Sequence, residues 1–157
     1  MKVPFSYLNE QFDNCDEIFD SLKKFVKTGD FTLGKPLQEF EKKYAEVVGS
    51  KYTIGVGSGT DALFLPLKAL EIGHGDEVIT AVNTFVATAG AIETAGAKIV
   101  FVDCNEKYVM DPSLVEAAIT PKTKAIMPVH FSGQPVDMPR IMEIANKHNL
   151  HVIEDTC

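Results

Sequence analysis

The residues whose types and spacing could do chemistry begin with Gly55-Val56-Gly57-Ser58-Gly59-Thr60-Asp61-Ala62-Leu63. A short apolar run, Tyr52-Thr53-Ile54, precedes them, and an almost wholly apolar run from Ala62 to Leu70 follows. This order reads as a strand, a glycine-rich turn and a buried helix. Glycine lets the backbone approach a ligand closely, because no Cβ intervenes. The first turn of a helix carries N–H groups without internal partners and the positive end of the dipole. Together they make an anion site, most often for a phosphate. The plainer reading is a tight turn in which Ser58 or Thr60 caps the helix.

In open parallel sheets, ligands bind beyond the carboxyl ends of the strands. The residues that follow each apolar run therefore carry the next information. They are Asn83, Thr84 and Phe85, then Asp103, then His130, Phe131 and Ser132, and finally Asp155. Each has a structural reading beside a functional one. Phe85 opens a helix and is either core or a plate for stacking. Asp155 closes Val152-Ile153 and is either a helix cap or a carboxylate facing a cationic ligand group. His130 is read as a hydrogen-bonded loop histidine before a catalytic base. Asp103 and the pair Asp76-Glu77 read as turn residues. No paired-histidine spacing is present, so a metal is not supported.

The phosphate ligand can be narrowed. A dinucleotide fingerprint needs a third glycine where Thr60 stands, and the P-loop pattern is absent. An anion site, an aromatic plate and a strand-end acid suit pyridoxal 5'-phosphate (PLP). That cofactor has a phosphate, a flat ring, and a pyridine nitrogen that needs an acidic partner.

The elements that must position these residues follow from hydrophobic periodicity. Residues 1–11 read as extended. From about Phe12 a helical stripe runs through Cys15, Ile18, Phe19, Leu22, Phe25 and Val26, and Gly29 is a plausible cap. Pro36 suits the first turn of a second helix with Leu37, Phe40, Tyr44, Val47 and Val48 on one side, closed by Gly49. An alternation of strands and helices then begins. Strands are expected at Tyr52–Val56, Glu77–Ala81, Lys98–Val102, Lys124–Val129 and His151–Glu154. Helices are expected at Asp61–Leu70, Phe85–Thr94, Pro112–Ala118 and Met138–His148. This pattern predicts an α/β fold, a three-layer α/β/α arrangement around a mostly parallel sheet. Residues 1–50 form an N-terminal helical segment and 51–157 the sheet-bearing part. Pro66 conflicts with its own helix and predicts a kink or an irregular first turn.

Composition bounds the rest. The chain has 157 residues, 45% hydrophobic and 24% charged, with a net charge of −7, enough for one sizeable core. No cluster of cations points to nucleic acid. The three cysteines, Cys15, Cys104 and Cys157, are far apart and indicate neither a zinc site nor a disulfide framework. The start, Met1 to Phe5, lacks the apolar core of a signal peptide, and no run is long enough for a membrane span. A cytoplasmic protein is expected.

Six runs resemble a known family in order and spacing. They are Gly57–Leu63, Gly75–Ile79, Asn83–Thr88, Ala118–Ile126, Pro128–His130 and Val152–Asp155. The family is that of the DegT/DnrJ/StrS sugar aminotransferases, and the likeness covers essentially the whole chain. It implies the aspartate-aminotransferase (type I) PLP fold, of which this chain holds an incomplete large domain without the C-terminal small domain. It implies that Gly59 and Thr60 bind the cofactor phosphate, that Phe85 stacks on the pyridine ring, and that Asp155 pairs with the ring nitrogen. It implies a homodimer that moves an amino group, typically from glutamate, to a nucleotide-linked keto sugar in polysaccharide biosynthesis. The family's Schiff-base lysine is expected beyond Cys157, which leaves no catalytic residue in this chain and makes it inactive alone. Two alternatives remain at this point: a PLP-dependent sugar dehydratase, in which histidine replaces the lysine, and a non-catalytic truncated fragment.

Overall fold

A computed structural model describes residues 3, 4 and 6–156. The reading of the first five residues therefore falls partly outside the described residues, and that of Cys157 wholly so. The chain divides into two compact units, Met1–Gly55 and Val56–Cys157.

In the first unit, α1 (Leu8–Gln11), α2 (Asp16–Val26) and α3 (Lys35–Val48) follow one another. The extended start expected for residues 1–11 thus gives way to a helical turn at Leu8. Acids in the first turn of α2 and lysines in its last turn match the helix dipole. Helix α3 has Pro36 in its first turn and ends at Gly49, whose φ of 69° is left-handed. The apolar stripes of both helices stay largely exposed, Ile18, Phe19, Leu22, Phe40 and Tyr44 among them.

The strand expected at Tyr52–Val56 does not form. A strand is a ladder before it is a sequence, and among the described residues no segment pairs with these. The Gly55 N–H instead donates to Glu41 Oε1 at 2.8 Å.

The second unit carries the sheet. Its elements are α4 (Gly59–Ala69), β1 (Glu77–Ala81), α5 (Val86–Ala95), β2 (Lys98–Val102), α6 (Pro112–Val115), β3 (Thr123–Met127), α7 (Met138–His148) and β4 (His151–Val152). The strands lie in the order β2-β1-β3-β4, all parallel. β1 is buried along its whole length, as an inner strand covered on both faces should be. β2 forms an edge and is partly exposed.

Alternate residues of the strands feed two cores. Val78, Ala125 and Met127 pack with Leu63 and Leu67 of α4 and Ile92 of α5. Ile79, Ala81 and Ile126 pack with Val115 of α6 and Ile141 and Ile144 of α7. This is the three-layer α/β/α arrangement. β1 leads through α5 to β2 on one side, and the chain then crosses to β3 on the other. The order therefore reverses between β1 and β3, which opens a crevice at their carboxyl ends.

Several bounds shift, each for a local reason. The α4 helix begins two residues early because Ser58, not Thr60, caps it. The helix also runs through Pro66 without a break. Phe85 is the N-cap of α5 rather than its first helical residue. β3 stops at Met127 and β4 at Val152, and their ladder resumes only as an isolated bridge between Val129 and Asp155. At the end of α5, Gly96 has a φ of 91°, and a Cβ there would lie 3.1 Å from the His74 ring.

Candidate functional site

A cavity of about 530 Å³ opens at the carboxyl ends of β1 and β3, and Gly59, Thr60, Phe85, Val129, Phe131 and Asp155 line it. The four residues singled out in the sequence, Gly59, Thr60, Phe85 and Asp155, thus come together on one cavity.

The first wall is the start of α4. Ser58 has extended backbone, and its hydroxyl accepts the Asp61 N–H at 3.2 Å while donating to Asp61 Oδ2 at 3.0 Å. That reciprocal cap draws the Asp61 carboxylate back onto Ser58. Asp61 does not line the cavity. The N–H groups of Gly59 and Thr60, in the first turn, have no acceptor within the helix. The positive end of the α4 dipole therefore meets the cavity with the neighbouring acid engaged elsewhere.

The second wall comes from the turn after β1. Phe85 has extended backbone and is 73% exposed. Within the described residues the ring is not covered as a core phenylalanine would be. The ring stands on the cavity instead.

The third fixed point is Asp155, which is buried. Its backbone is held at the end of β3: its N–H donates to Pro128 O at 2.9 Å and its carbonyl accepts the His130 N–H at 3.0 Å. Its carboxylate accepts the Thr88 hydroxyl at 2.6 Å. Thr88 is fully buried, and its oxygen lies 2.6 Å from that of Thr84. A hydroxyl has one proton to give. Thr88 gives it to Asp155, so Thr84 donates to Thr88. Among the described residues, no buried side-chain nitrogen or oxygen lacks a partner.

Thr84 was noted only as one of the residues that follow a strand, and Thr88 was given no role from the sequence. Their i, i+4 spacing at a helix start was the available signal, because it puts both hydroxyls on one side. Their acceptor lies 67 residues on from Thr88, and nothing local announces it.

His130 is hydrogen-bonded at both ring nitrogens. The Val136 N–H donates to Nδ1 at 3.1 Å, and Nε2 lies 2.9 Å from Glu154 Oε2. An Nδ1 that accepts carries no proton, so Nε2 bears it and donates to Glu154. This pins the loop after β3, as expected of a structural histidine.

The remaining candidates lie elsewhere. Asp103, expected in a turn, instead follows β2 directly and accepts the Cys104 N–H at 2.7 Å. Glu77 is buried at the opposite end of β1, where it accepts the Thr120 hydroxyl at 2.6 Å and Lys98 Nζ at 2.9 Å. These bonds, the Thr120 hydroxyl first, hold its carboxyl below the usual range. Glu116 accepts from His148 and Lys147, which lower its carboxyl to about 2. Among the described residues, no group of three or more acids, histidines and cysteines could hold a metal, and no helix is long and apolar enough to cross a membrane.

Known proteins resemble this chain in sequence and fold. Residues 13–157 match the model of the DegT/DnrJ/EryC1/StrS aminotransferase family. The chain is 50% identical over 141 residues to a UDP-N-acetyl-3-dehydro-alpha-D-glucosamine 3-aminotransferase of Acidithiobacillus ferrooxidans, covering 89% of this chain and 38% of that protein. It superposes with a TM-score of 0.94 on Bacillus subtilis NtdA with bound cofactor PMP, at 42% identity, over 99% of this chain and 37% of the other. Against S. venezuelae DesV in complex with a ketimine intermediate the TM-score is 0.93 at 40% identity, over 98% and 42% of the two chains. The chain spans about two fifths of the length of the curated relatives it matches. A match over residues 13–157, carried by a parallel sheet with its cavity at the switch point, makes this chain a member of the DegT/DnrJ/EryC1/StrS aminotransferase family.

Proposed function

We propose that this chain is the N-terminal part of a PLP-dependent aminotransferase that moves an amino group, from glutamate, to a nucleotide-linked keto sugar. The observation that carries the reading is the cavity itself, where a helix start, an exposed aromatic ring and a buried carboxylate meet. Those three features match the three chemical ends of PLP. Gly59 and Thr60 would hold the phosphate through first-turn N–H groups. Phe85 would lie against the ring face, and the Asp155 carboxylate would meet the ring nitrogen. When bound, the cofactor supplies an electron sink for amino-group exchange. The protein's own part is to orient the ring and to keep a negative charge at its nitrogen.

The cavity lining includes no lysine among the described residues, and we assign the Schiff-base lysine to a segment outside residues 1–157. The small domain and the homodimer belong to the same reading. The relative from Acidithiobacillus ferrooxidans acts, by its name, on a UDP-linked 3-keto sugar, which supports that substrate class here.

The test is direct. The full-length protein is loaded with PLP and given glutamate and a UDP-linked 3-keto-glucosamine. Mass spectrometry should find a nucleotide-linked amino sugar and 2-oxoglutarate in equal amounts. Loss of water from the sugar without nitrogen gain would refute the aminotransferase and indicate a dehydratase.

A further inference from the structure

We propose that Thr88, supported by Thr84, is a positioning residue that helps aim the Asp155 carboxylate, so that one short segment bears on both the plate and the charge of the cofactor site. The inference rests on the PLP reading above.

The argument starts from what a carboxylate at a strand end is free to do. Its backbone is fixed by the bridge to Val129. Backbone fixing leaves χ1 and χ2 open, and χ2 of aspartate is a broad torsion. Geometry errors of about 1 Å at a reacting centre are costly. Something must therefore hold the oxygens. The Thr88 hydroxyl, 2.6 Å from Oδ2, does so from within the protein. Thr88 is β-branched and helical, which leaves its χ1 two main wells, and the bond to Asp155 holds it in one of them. It is fully buried, so water does not compete for its proton. Thr84 then fixes the remaining freedom of that hydroxyl, because its own donation at 2.6 Å occupies an acceptor site of Thr88 and points the Thr88 proton at Asp155.

Phe85 stands between these two threonines in sequence and caps the helix that carries Thr88. The Phe85 ring and the Asp155 carboxylate are thus referred to one turn, residues 84–88, instead of to two independent elements. The positioning of ring face and ring nitrogen is set together.

The experiment uses the full-length protein loaded with PLP labelled with 15N at the ring nitrogen. The variants are Asp155→Asn, Thr88→Val, Thr88→Ser and Thr84→Val. Asp155→Asn should move the ring 15N resonance toward the unprotonated position. Thr88→Val should move it in the same direction by a smaller amount and lower kcat about tenfold, the equivalent of one lost hydrogen bond. Thr88→Ser should restore both, since it returns the hydroxyl. If Thr88→Val does not fold, Thr84→Val decides, with a smaller shift of the same sign expected. A resonance unmoved by Asp155→Asn would overturn the PLP role of Asp155 and this inference with it. A resonance moved by Asp155→Asn but not by the threonine variants would overturn the positioning role alone.

Discussion

Val129 and Asp155 face each other across a single parallel bridge, two residues beyond the point where the β3 strand ends. The gap between Val152 and Asp155 is where β4 leaves the ladder, and the bridge returns the chain to it. The buried carboxylate is therefore presented by backbone pairing on one side and by a hydroxyl on the other.

Replacing Asp155 by asparagine should keep the fold and remove the charge. The amide oxygen can still accept from Thr88, so the melting temperature should change little. Turnover of the PLP-loaded, full-length protein should fall by about 10²-fold, the usual cost of removing one preorganised electrostatic group. Steady-state kinetics beside circular dichroism would separate the two effects. A variant with full turnover would refute the role given to Asp155.

Phe85 offers the opposite contrast, since its ring is 73% exposed. Phe85→Ala should alter stability by no more than ~0.5 kcal/mol, as for other surface changes. Loss of an aromatic stacking partner is worth about 0.5–1.5 kcal/mol, so PLP affinity should weaken by up to about tenfold. Fluorescence titration of the apo-protein with PLP measures it. A large drop in unfolding free energy with unchanged affinity would restore the core reading of this residue.

The core is tested at Ile126 of β3, fully buried against the α6 and α7 helices. Ile126→Ala should destabilise the protein by about 2–5 kcal/mol, from lost transfer energy and the cavity left behind. Urea unfolding should report a lower midpoint at similar slope. A loss under about 1 kcal/mol would mean that the layer is not packed as described.

Acid should weaken the fold through Glu116 and Glu77. Both carboxyls are held below their ordinary value, Glu116 to about 2 by His148 and then Lys147, Glu77 by the Thr120 hydroxyl and then Lys98. A depressed carboxyl contributes stability that is present above the unfolded value of 4.5 and is lost as pH falls through the folded one. The melting temperature should thus decline from pH ~5 toward ~2, and Glu116→Gln should flatten the decline. Parallel curves for the two proteins would exclude the Glu116 contribution.

Much of the second unit was legible in sequence because its signals are local. Glu77–Ala81, Lys98–Val102 and Met138–His148 form with the bounds expected. The strands are continuous apolar runs, and α7 carries its own marks in Asp137 as cap and Pro139 in the first turn. What was not legible depends on partners. Tyr52–Val56 has strand-like residues but, among the described residues, no neighbour to pair with. His130 finds Val136 and Glu154 only once the loop folds back. The cavity residues Gly59, Thr60, Phe85 and Asp155 were each ambiguous alone and were read through their order along the chain. The bond from Thr88 to Asp155 was missed, because a threonine inside a helix looks like a filler until its acceptor arrives from a distant strand.

The turn at 84–88 has a consequence for how this site can vary. A plate and a charge on separate elements could drift independently, one substitution at a time. Here any change that rotates the start of α5 moves Phe85 and the Thr88 hydroxyl as a pair. Substitutions at 84, 85 and 88 should therefore be epistatic, tolerated jointly and penalised singly. A redesign that seeks a tilted ring should exchange the whole pentapeptide as one cassette.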